Sequence, residues 1–206
     1  MKAVHAEYVV FDVETTGLNP QQGDRILEIA AVKVKDGEIV DTFESFVNPQ
    51  RDVPAEAAAV HNITNEMLHD APVADQVLPD VIKFISGACL VGHNIKFDLD
   101  FLCYELSLIS RRLDERIPAI DTLKMSKKLL PQLRSHRLGN LAYFLGAQIE
   151  ETHRALADVK LTVVVLKRLL RMANDQGIDS FQEVYKQFGV VKPNFKIETM
   201  EQSFLF

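Results

Sequence analysis

The chain has 206 residues, of which 47% are hydrophobic and 25% charged, and its formal net charge is −6. These values are typical of one folded globular domain with modest additions, and they exclude a disordered or fibrous protein. The negative charge weakly disfavours a protein that coats nucleic acid, but it leaves room for an enzyme that holds one locally.

Membrane and secreted classes are not indicated. No apolar run approaches the roughly 20 residues that a membrane-spanning helix needs, and the first residues lack the apolar core of a secretory signal. The two cysteines, Cys89 and Cys103, do not have the spacing of a zinc site. We therefore expect a cytoplasmic localisation and no disulfide framework.

Three strands are predicted at the start of the chain, at 7–15, 26–34 and 38–47. These segments alternate in polarity and are rich in β-branched and aromatic residues. Asp36-Gly37, between the second and third segments, is a strong hairpin signal. We expect an antiparallel meander of three strands.

The rest of the chain alternates helices with short strands. An irregular stretch at 48–76 contains an alanine-rich turn of helix. The elements predicted after it are a helix that runs to about Ser86 with Pro79 near its first position, a buried strand at 88–94, a helix at 97–110, a short strand at 119–122, a helix capped by Ser135 and closed by Gly146, a long helix at 154–174, and a helix between a Ser180–Glu183 capping box and Gly189. This order predicts an α/β fold, a mixed β-sheet flanked by helices in one domain.

Asp12 and Glu14 stand two residues apart in the first predicted strand. This spacing puts both carboxylates on one face, with Cα atoms about 6.6 Å apart. Tyr8 and Val10 share that face. The pair belongs either to a solvated strand face or to a site beside the apolar core, and the apolar neighbours favour the site.

Two more acids stand near predicted helix starts. Asp98 lies where the strand at 88–94 passes into a helix, at the head of a stripe that faces the sheet. Asp158 follows His153 by five residues; two helical residues at that spacing would lie about 140° apart, so we place His153 in the preceding loop. Each residue alone is also typical of an ordinary helix start.

The four acids together indicate a metal-dependent reaction. Clustered carboxylates repel one another and need cations to stay ionised, and hard oxygen ligands suit Mg²⁺ or Mn²⁺. Two such ions stabilise both the attacking and the leaving oxygen of a phosphoryl displacement, and a neighbouring histidine can take a proton from water. The chemistry indicated is phosphodiester hydrolysis.

Four segments resemble the motifs of the DnaQ-like, DEDD-type 3′→5′ exonucleases: FDVETTGL (11–18), VHNIT (60–64), GHNIKFD (92–98) and HRALAD (153–158). The resemblance spans about residues 7–172. It implies a ribonuclease-H-like fold and two divalent cations, Mg²⁺ or Mn²⁺. It also implies that the metal ligands are Asp12, Glu14, Asp98 and Asp158. The general base that it implies is His153. Histidine at 153, with Arg154 where the other branch has tyrosine, is typical of the DEDDh branch.

Within that family the chain is most similar to the proofreading exonucleases of bacterial replicative polymerases, of the epsilon-subunit and PolC types. This similarity implies a single-stranded or frayed DNA 3′ end as substrate and the polymerase catalytic subunit as a partner. The substrate contacts that it implies are Thr15, Gly17, Leu18, His61, Asn94 and Phe97. For Leu18 and Phe97, simple core packing is the alternative interpretation.

A basic segment at 111–137 contains eight basic and three acidic residues, so its charge is +5 and the rest of the chain carries −11. It is either a track for phosphate groups or a solvated helix face.

The last residues have a pattern of their own. Gln202, Leu205 and Phe206 match the Q-x-x-L-F pattern, which resembles the peptide that binds the bacterial sliding clamp. The alternative is that the tail folds back on its own domain. We expect an exonuclease domain at 1–175, a C-terminal helix and connector at 176–192, and a tail with the clamp-binding peptide at 193–206.

Three functions compete with DNA proofreading. The chain could be an exoribonuclease like RNase T or oligoribonuclease, a free-standing repair exonuclease, or a binding module that has lost its chemistry. The binding module is disfavoured because all five residues that the resemblance assigns to the active site are present.

Overall fold

A mixed sheet of five strands forms the centre of the computed structural model, which describes residues 1–147 and 154–193. The strand order is β3-β2-β1-β4-β5. Strands β1 to β3 form the predicted antiparallel meander, and β4 and β5 run parallel to β1. The strands are β1 (Tyr8–Thr15), β2 (Ile26–Lys35), β3 (Glu38–Phe46), β4 (Cys89–Gly92) and β5 (Ala119–Asp121). The predicted α/β class is confirmed.

Helices cover both faces of the sheet. Buried residues of α3 and α4 pack on one face, and those of α5, α6, α7 and α8 pack on the other. The helices are α1 (Ala55–His61), α2 (Asn65–Leu68), α3 (Ala74–Ile85), α4 (Lys96–Leu108), α5 (Thr122–Leu129), α6 (Leu138–Phe144), α7 (Ala155–Asp175) and α8 (Phe181–Phe188). In the part of the chain that the structure describes, no helix is long and apolar enough to cross a membrane.

The alternation of β1 decides which way its acids point. Val9, Phe11 and Val13 are buried against α3 and α4, whereas Tyr8 and Val10 are buried in the cluster that includes α7. Because successive strand residues face opposite sides, Asp12 and Glu14 lie on the α7 side of the sheet. The apolar part of this face ends where the two acids begin.

Several local signals in the sequence are confirmed. Asp36 and Gly37 have φ values of +50° and +79°, as a tight hairpin with two left-handed residues requires. Ser180 and Glu183 form the predicted capping box at the start of α8. Gly146 has a φ of +76° just after α6, where a helix commonly ends in a left-handed residue.

Two predicted helix starts are wrong. Pro79 lies inside α3, which begins at Ala74 because the Gln76 side chain accepts a hydrogen bond from the backbone N–H of Val73 at 3.2 Å. Proline there removes a bond to the carbonyl of Asp75, an exposed residue whose carbonyl can bond water instead. The N-cap of α6 is Arg137, whereas the hydroxyl of Ser135 accepts a hydrogen bond from Asn140 at 2.8 Å.

Helix α5 is absent from the sequence prediction. Asp121 ends β5 and also caps α5, since its side chain accepts a hydrogen bond from the N–H of Leu123 at 2.8 Å. The buried positions of α5 have helical spacing, but two of them are polar: Thr122, Met125, Ser126 and Leu129. A half-polar buried face of this kind gives little hydrophobic periodicity.

A partly buried ion pair joins α4 to the start of β2. Glu105 is 1% exposed, and its oxygens accept from Arg25 Nε at 2.7 Å, from Arg25 Nη2 at 2.8 Å and from the backbone N–H of Ile26 at 3.2 Å. Helix α4 also carries Asp98 in its first turn. The pair therefore fixes the helix that brings this acid to the sheet.

Replacing Glu105 with alanine should lower the free energy of unfolding by about 3–5 kcal/mol, because Arg25 is left as an uncompensated, partly buried charge. Urea denaturation measures the change. The matched control is Arg116→Ala, which removes an exposed ion pair to Asp114 and should leave the unfolding midpoint unchanged. A loss in Glu105→Ala no larger than in this control would contradict the assignment.

Candidate active site

Three carboxylates meet at the carboxyl end of β1. Asp12 and Glu14 of β1 and Asp158 of α7 each offer an oxygen, and these atoms all lie within 4.8 Å of one another. All three residues are half-buried. In open sheets with parallel strands, sites commonly lie at the carboxyl ends of the strands, as here.

Helix α7 brings Asp158 to this position. Its buried residues pack along the sheet face that Tyr8 and Val10 occupy. Asp158 lies in the first turn of the helix, and its backbone N–H donates to the carbonyl of Arg154 at 3.1 Å. The helix axis and the strand register thus set the distance between Asp158 and the β1 acids.

Asp98 reaches the site from the other layer of the fold. The assigned pairing of β1 with β4 ends at Val10 and Val91, before the acids of β1 are reached. There the side chain of Asp98 accepts the backbone N–H of Val13 at 3.1 Å. Asp98 is 3% exposed and does not belong to the set of three acids within 4.8 Å.

Burial and mutual repulsion act on these acids in the same direction. Burial and the neighbouring Asp98, Glu14 and Asp158 raise the pKa of Asp12 well above its ordinary value. Burial also raises the pKa of Glu14 to about 7, with a further contribution from Asp158, while Arg154 opposes the increase. For Asp98, burial outweighs the hydrogen bond from Val13 and raises the pKa.

The donor set fits divalent cations. Oxygen-only ligands from carboxylates are what Mg²⁺ and Mn²⁺ prefer, and a cation among these acids would remove the repulsion that raises their pKa values. The structure therefore agrees with a carboxylate site for divalent metal.

A buried glutamate that the sequence analysis missed lies behind the acids. Glu28 of β2 is the cross-strand partner of Glu14 and is 1% exposed. Its carboxylate accepts from Arg154 Nη2 at 2.6 Å and from the backbone N–H of Ala155 at 3.0 Å. In the sequence Glu28 stands within an apolar strand, and an isolated charge in such a strand was the only signal.

A cleft of about 430 Å³ opens beside Asp12 and Asp158, and apart from Arg137 of the basic segment its other lining residues had no predicted role. Its other lining residues are His93, Arg137, Leu138, Gly139 and Asn140. The half-buried ring of His93 donates from Nε2 to the carbonyl of His136 at 2.8 Å, and burial lowers its pKa. A larger cavity of about 550 Å³ between the N-terminal residues and α7 lies away from these acids.

Three predicted substrate residues, Thr15, Gly17 and Leu18, lie at the end of β1 and just beyond it. Leu18 is 84% exposed, so the core-packing alternative is wrong for this residue. Thr15 donates from its hydroxyl to the carbonyl of Gly17 at 2.6 Å. A Cβ at position 17 would collide with the carboxylate of Asp24, which also accepts the N–H of Asn19 at 3.1 Å. Glycine at this position is thus explained by packing.

His61 is buried, with 2% exposure, and its tautomer follows from its contacts. Nδ1 accepts from the N–H of Ile63 at 3.1 Å, so the proton of the neutral ring is on Nε2. Within the described residues Nε2 has no hydrogen-bond partner in good geometry. Burial lowers the pKa of His61, and the nearby backbone of Thr15 opposes this decrease.

The two other predicted substrate residues lie at the start of α4. Asn94 is exposed, has a φ of +70°, and donates its backbone N–H to Asp121 at 2.9 Å. Phe97 is partly buried, with its ring centroid 5.0 Å from that of Phe101. Core packing therefore accounts for the buried part of the Phe97 side chain.

The basic segment is divided by the structure. Lys124 donates to the carbonyl of Gly189, and Lys128 donates to the Gln187 side chain, so both are engaged with the region of α8. Arg137 instead lines the cleft beside Asp12 and Asp158.

Four of the predicted residues, His153, Gln202, Leu205 and Phe206, lie outside the described residues.

Comparison with known proteins identifies the family. The RNase T family model, described as "Exonuclease", matches residues 9–166. Among curated proteins, the PolC-type DNA polymerase III of Bacillus subtilis is 40% identical over 182 residues, which are 88% of this chain and 13% of that protein. The corresponding protein of Latilactobacillus sakei is 42% identical over 170 residues, 82% of this chain and 12% of its own. The chain spans about an eighth of the length of these relatives.

Solved structures give the same fold. Exonuclease X in complex with 5′-overhanging duplex DNA has a TM-score of 0.68 and 27% identity, and the match covers 86% of this chain and 97% of that one. The nuclease domain of 3′hExo, bound to rAMP, has a TM-score of 0.70 and 20% identity, with coverage of 83% and 94%. The ribonuclease-H-like architecture is confirmed, and the chain belongs to the exonuclease family that its motifs predicted.

Proposed function

We propose that this chain is a 3′→5′ exodeoxyribonuclease that hydrolyses the last phosphodiester bond of a DNA 3′ end, with two divalent cations, and that it proofreads for a replicative DNA polymerase. The observation that carries the proposal is the set of three carboxylates within 4.8 Å at the carboxyl end of β1 in an exonuclease-family chain.

The residue roles follow from the acid cluster and the motifs. Asp12, Glu14, Asp98 and Asp158 would hold the cations. When bound, Mg²⁺ or Mn²⁺ supplies charge stabilisation for the attacking and leaving oxygens of the displacement. His153 would take the proton from the attacking water; the new P–O bond then forms as the bond from phosphorus to the 3′ oxygen breaks, and that oxygen is protonated.

The shape of the site favours a single-stranded end. Leu18, four residues after Glu14 in the chain, is exposed and therefore available to contact a terminal base, and Arg137 lines the cleft beside Asp12 and Asp158. A frayed strand can enter such a site and stack on apolar side chains without regard to sequence. DNA is proposed as the polymer because the curated relatives are DNA polymerases and exonuclease X was solved with DNA.

A digestion assay tests the proposed substrate. With Mg²⁺, a primer–template with a mismatched 3′ end should be shortened faster than a matched duplex, because its end is already unstacked. Single-stranded RNA of the same sequence should be degraded more slowly, and chelation with EDTA should abolish the reaction. Equal or faster digestion of RNA would instead favour an exoribonuclease.

Two variants serve as controls for the mechanism. Asp12→Asn should retain less than about a tenth of the wild-type rate while its thermal stability does not fall, because the change removes a ligand and also relieves repulsion. His153→Ala should lose about 10²–10⁴-fold in turnover with little change in DNA affinity. Substantial activity in Asp12→Asn would overturn the two-cation mechanism.

Arg137 and Lys127 offer a test of phosphate binding, because Arg137 lines the cleft and Lys127 is close enough to the cleft residue His93 to help lower its pKa. Neutralising both with glutamine should weaken the binding of single-stranded DNA and reduce the slope of log affinity against log salt by about 0.7 for each phosphate that is no longer neutralised. The matched control is Lys124→Gln with Lys128→Gln, since both amines are engaged near α8. Equal slopes for the two double variants would show that Arg137 and Lys127 belong to a solvated face.

The tail pattern leads to a proposed second partner, the sliding clamp. A clamp tether would hold the enzyme near the primer end and raise its effective concentration there. A synthetic peptide of residues 196–206 should bind the cognate clamp saturably. The same peptide with Gln202→Ala and Phe206→Ala should not bind. Absence of saturable binding at millimolar peptide would contradict the clamp role.

A further inference from the structure

We propose that Glu28 and Arg154 form a positioning pair that fixes the distance between Glu14 and Asp158. This inference rests on the proposed function, because it assigns to the pair the task of holding two of the proposed cation ligands in place. Neither residue is proposed to touch the substrate or the reacting atoms.

Glu28 is fully engaged with the residues at the start of α7. Its Oε1 accepts from Arg154 Nε at 3.2 Å and Nη2 at 2.6 Å, and its Oε2 accepts from Arg154 Nε at 3.2 Å and from the N–H of Ala155 at 3.0 Å. One buried carboxylate thus bonds both the arginine at the N-cap position of α7 and the first residue of that helix. This fixes the position of the helix end in two directions.

The strand register and the helix repeat connect this carboxylate to the acids. Glu28 is directly opposite Glu14 in the β1–β2 ladder. Arg154 lies one helical turn before Asp158, and its carbonyl accepts the N–H of that residue at 3.1 Å. A contact between Glu28 and residues 154 and 155 therefore sets how far the first turn of α7 stands from the end of β1.

The pair requires an arginine. The guanidinium lies 5.2 Å from the centre of the Phe46 ring while its nitrogens bond Glu28. A planar group with several donors can bond a carboxylate and lie over an aromatic ring at once, and a lysine ammonium cannot reproduce both contacts. Arg154 is thereby held in place by Glu28 of β2 and by Phe46 of β3.

The experiment compares Glu28→Gln, Arg154→Met and Arg154→Lys with the wild-type chain. Each protein is assayed for kcat and KM on a single-stranded oligodeoxynucleotide with Mg²⁺, and for Mn²⁺ affinity by calorimetry without DNA. Misplaced ligands should lower kcat and Mn²⁺ affinity by about 10–100-fold in Glu28→Gln and Arg154→Met. KM should stay within about twofold, and Arg154→Lys should remain impaired.

The matched control for stability is Leu170→Ala. Leu170 is buried on the same helix, 12 residues and about 18 Å beyond Asp158, so its replacement should lower the thermal midpoint without changing kcat or Mn²⁺ affinity. Pair variants that match the wild type, or that decline only as Leu170→Ala does, would overturn the inference. So would full activity in Arg154→Lys, or an effect confined to KM.

Asp12→Asn, assayed in parallel, distinguishes failure of the positioning pair from failure of the proposed function. If Asp12→Asn is inactive while the pair variants behave as the wild type, the positioning inference fails and the proposed function stands. If Asp12→Asn keeps its activity, the proposed function fails first.

Discussion

Repulsion among carboxylates is the constraint on which the rest of this structure depends. Asp12, Glu14 and Asp158 bring oxygens within 4.8 Å of one another, and burial raises the pKa values of Asp12 and Glu14 as well. The free energy of acids in this arrangement would fall if they moved apart. They stay together because β1 is paired on both sides along its first half and α7 is packed along the sheet by a continuous apolar face.

Strand β2 holds both helices that carry an acid to the site. On one face Glu28 bonds the start of α7, and near the start of the strand Arg25 and the N–H of Ile26 bond Glu105 of α4. Both glutamates are 1% exposed. The arginine of each pair is partly exposed, so the pairs add little net stability compared with apolar packing, but the buried carboxylates restrict their geometry. Two such pairs therefore define where each helix lies more sharply than packing alone would.

The parts of the site that were predictable are those that depend on local spacing. The period of two placed Asp12 and Glu14 on one face, and the apolar stripe predicted the long helix that carries Asp158. Glu28 and Arg154 were not predictable as a pair, because 126 residues separate them and no local pattern connects a strand glutamate to a helix start. Helix α5 was missed because its buried face includes Thr122 and Ser126. His153 and the clamp-binding residues stay predictions.

The overall acidity of the chain is compatible with the proposed polyanionic substrate, and it would restrict where that substrate could bind. The net charge is −6, and three of the acids are gathered within 4.8 Å, so a strand of DNA laid along most of the surface would be repelled. Under the proposed function, this repulsion would be reversed by cations held among the acids and by Arg137, which lines the adjoining cleft. Charge of this kind favours the end of a strand over its length, because only the phosphates next to the reacting bond need to lie beside the cations. An enzyme that removes terminal nucleotides needs that preference, whereas a protein that coats nucleic acid needs the opposite one.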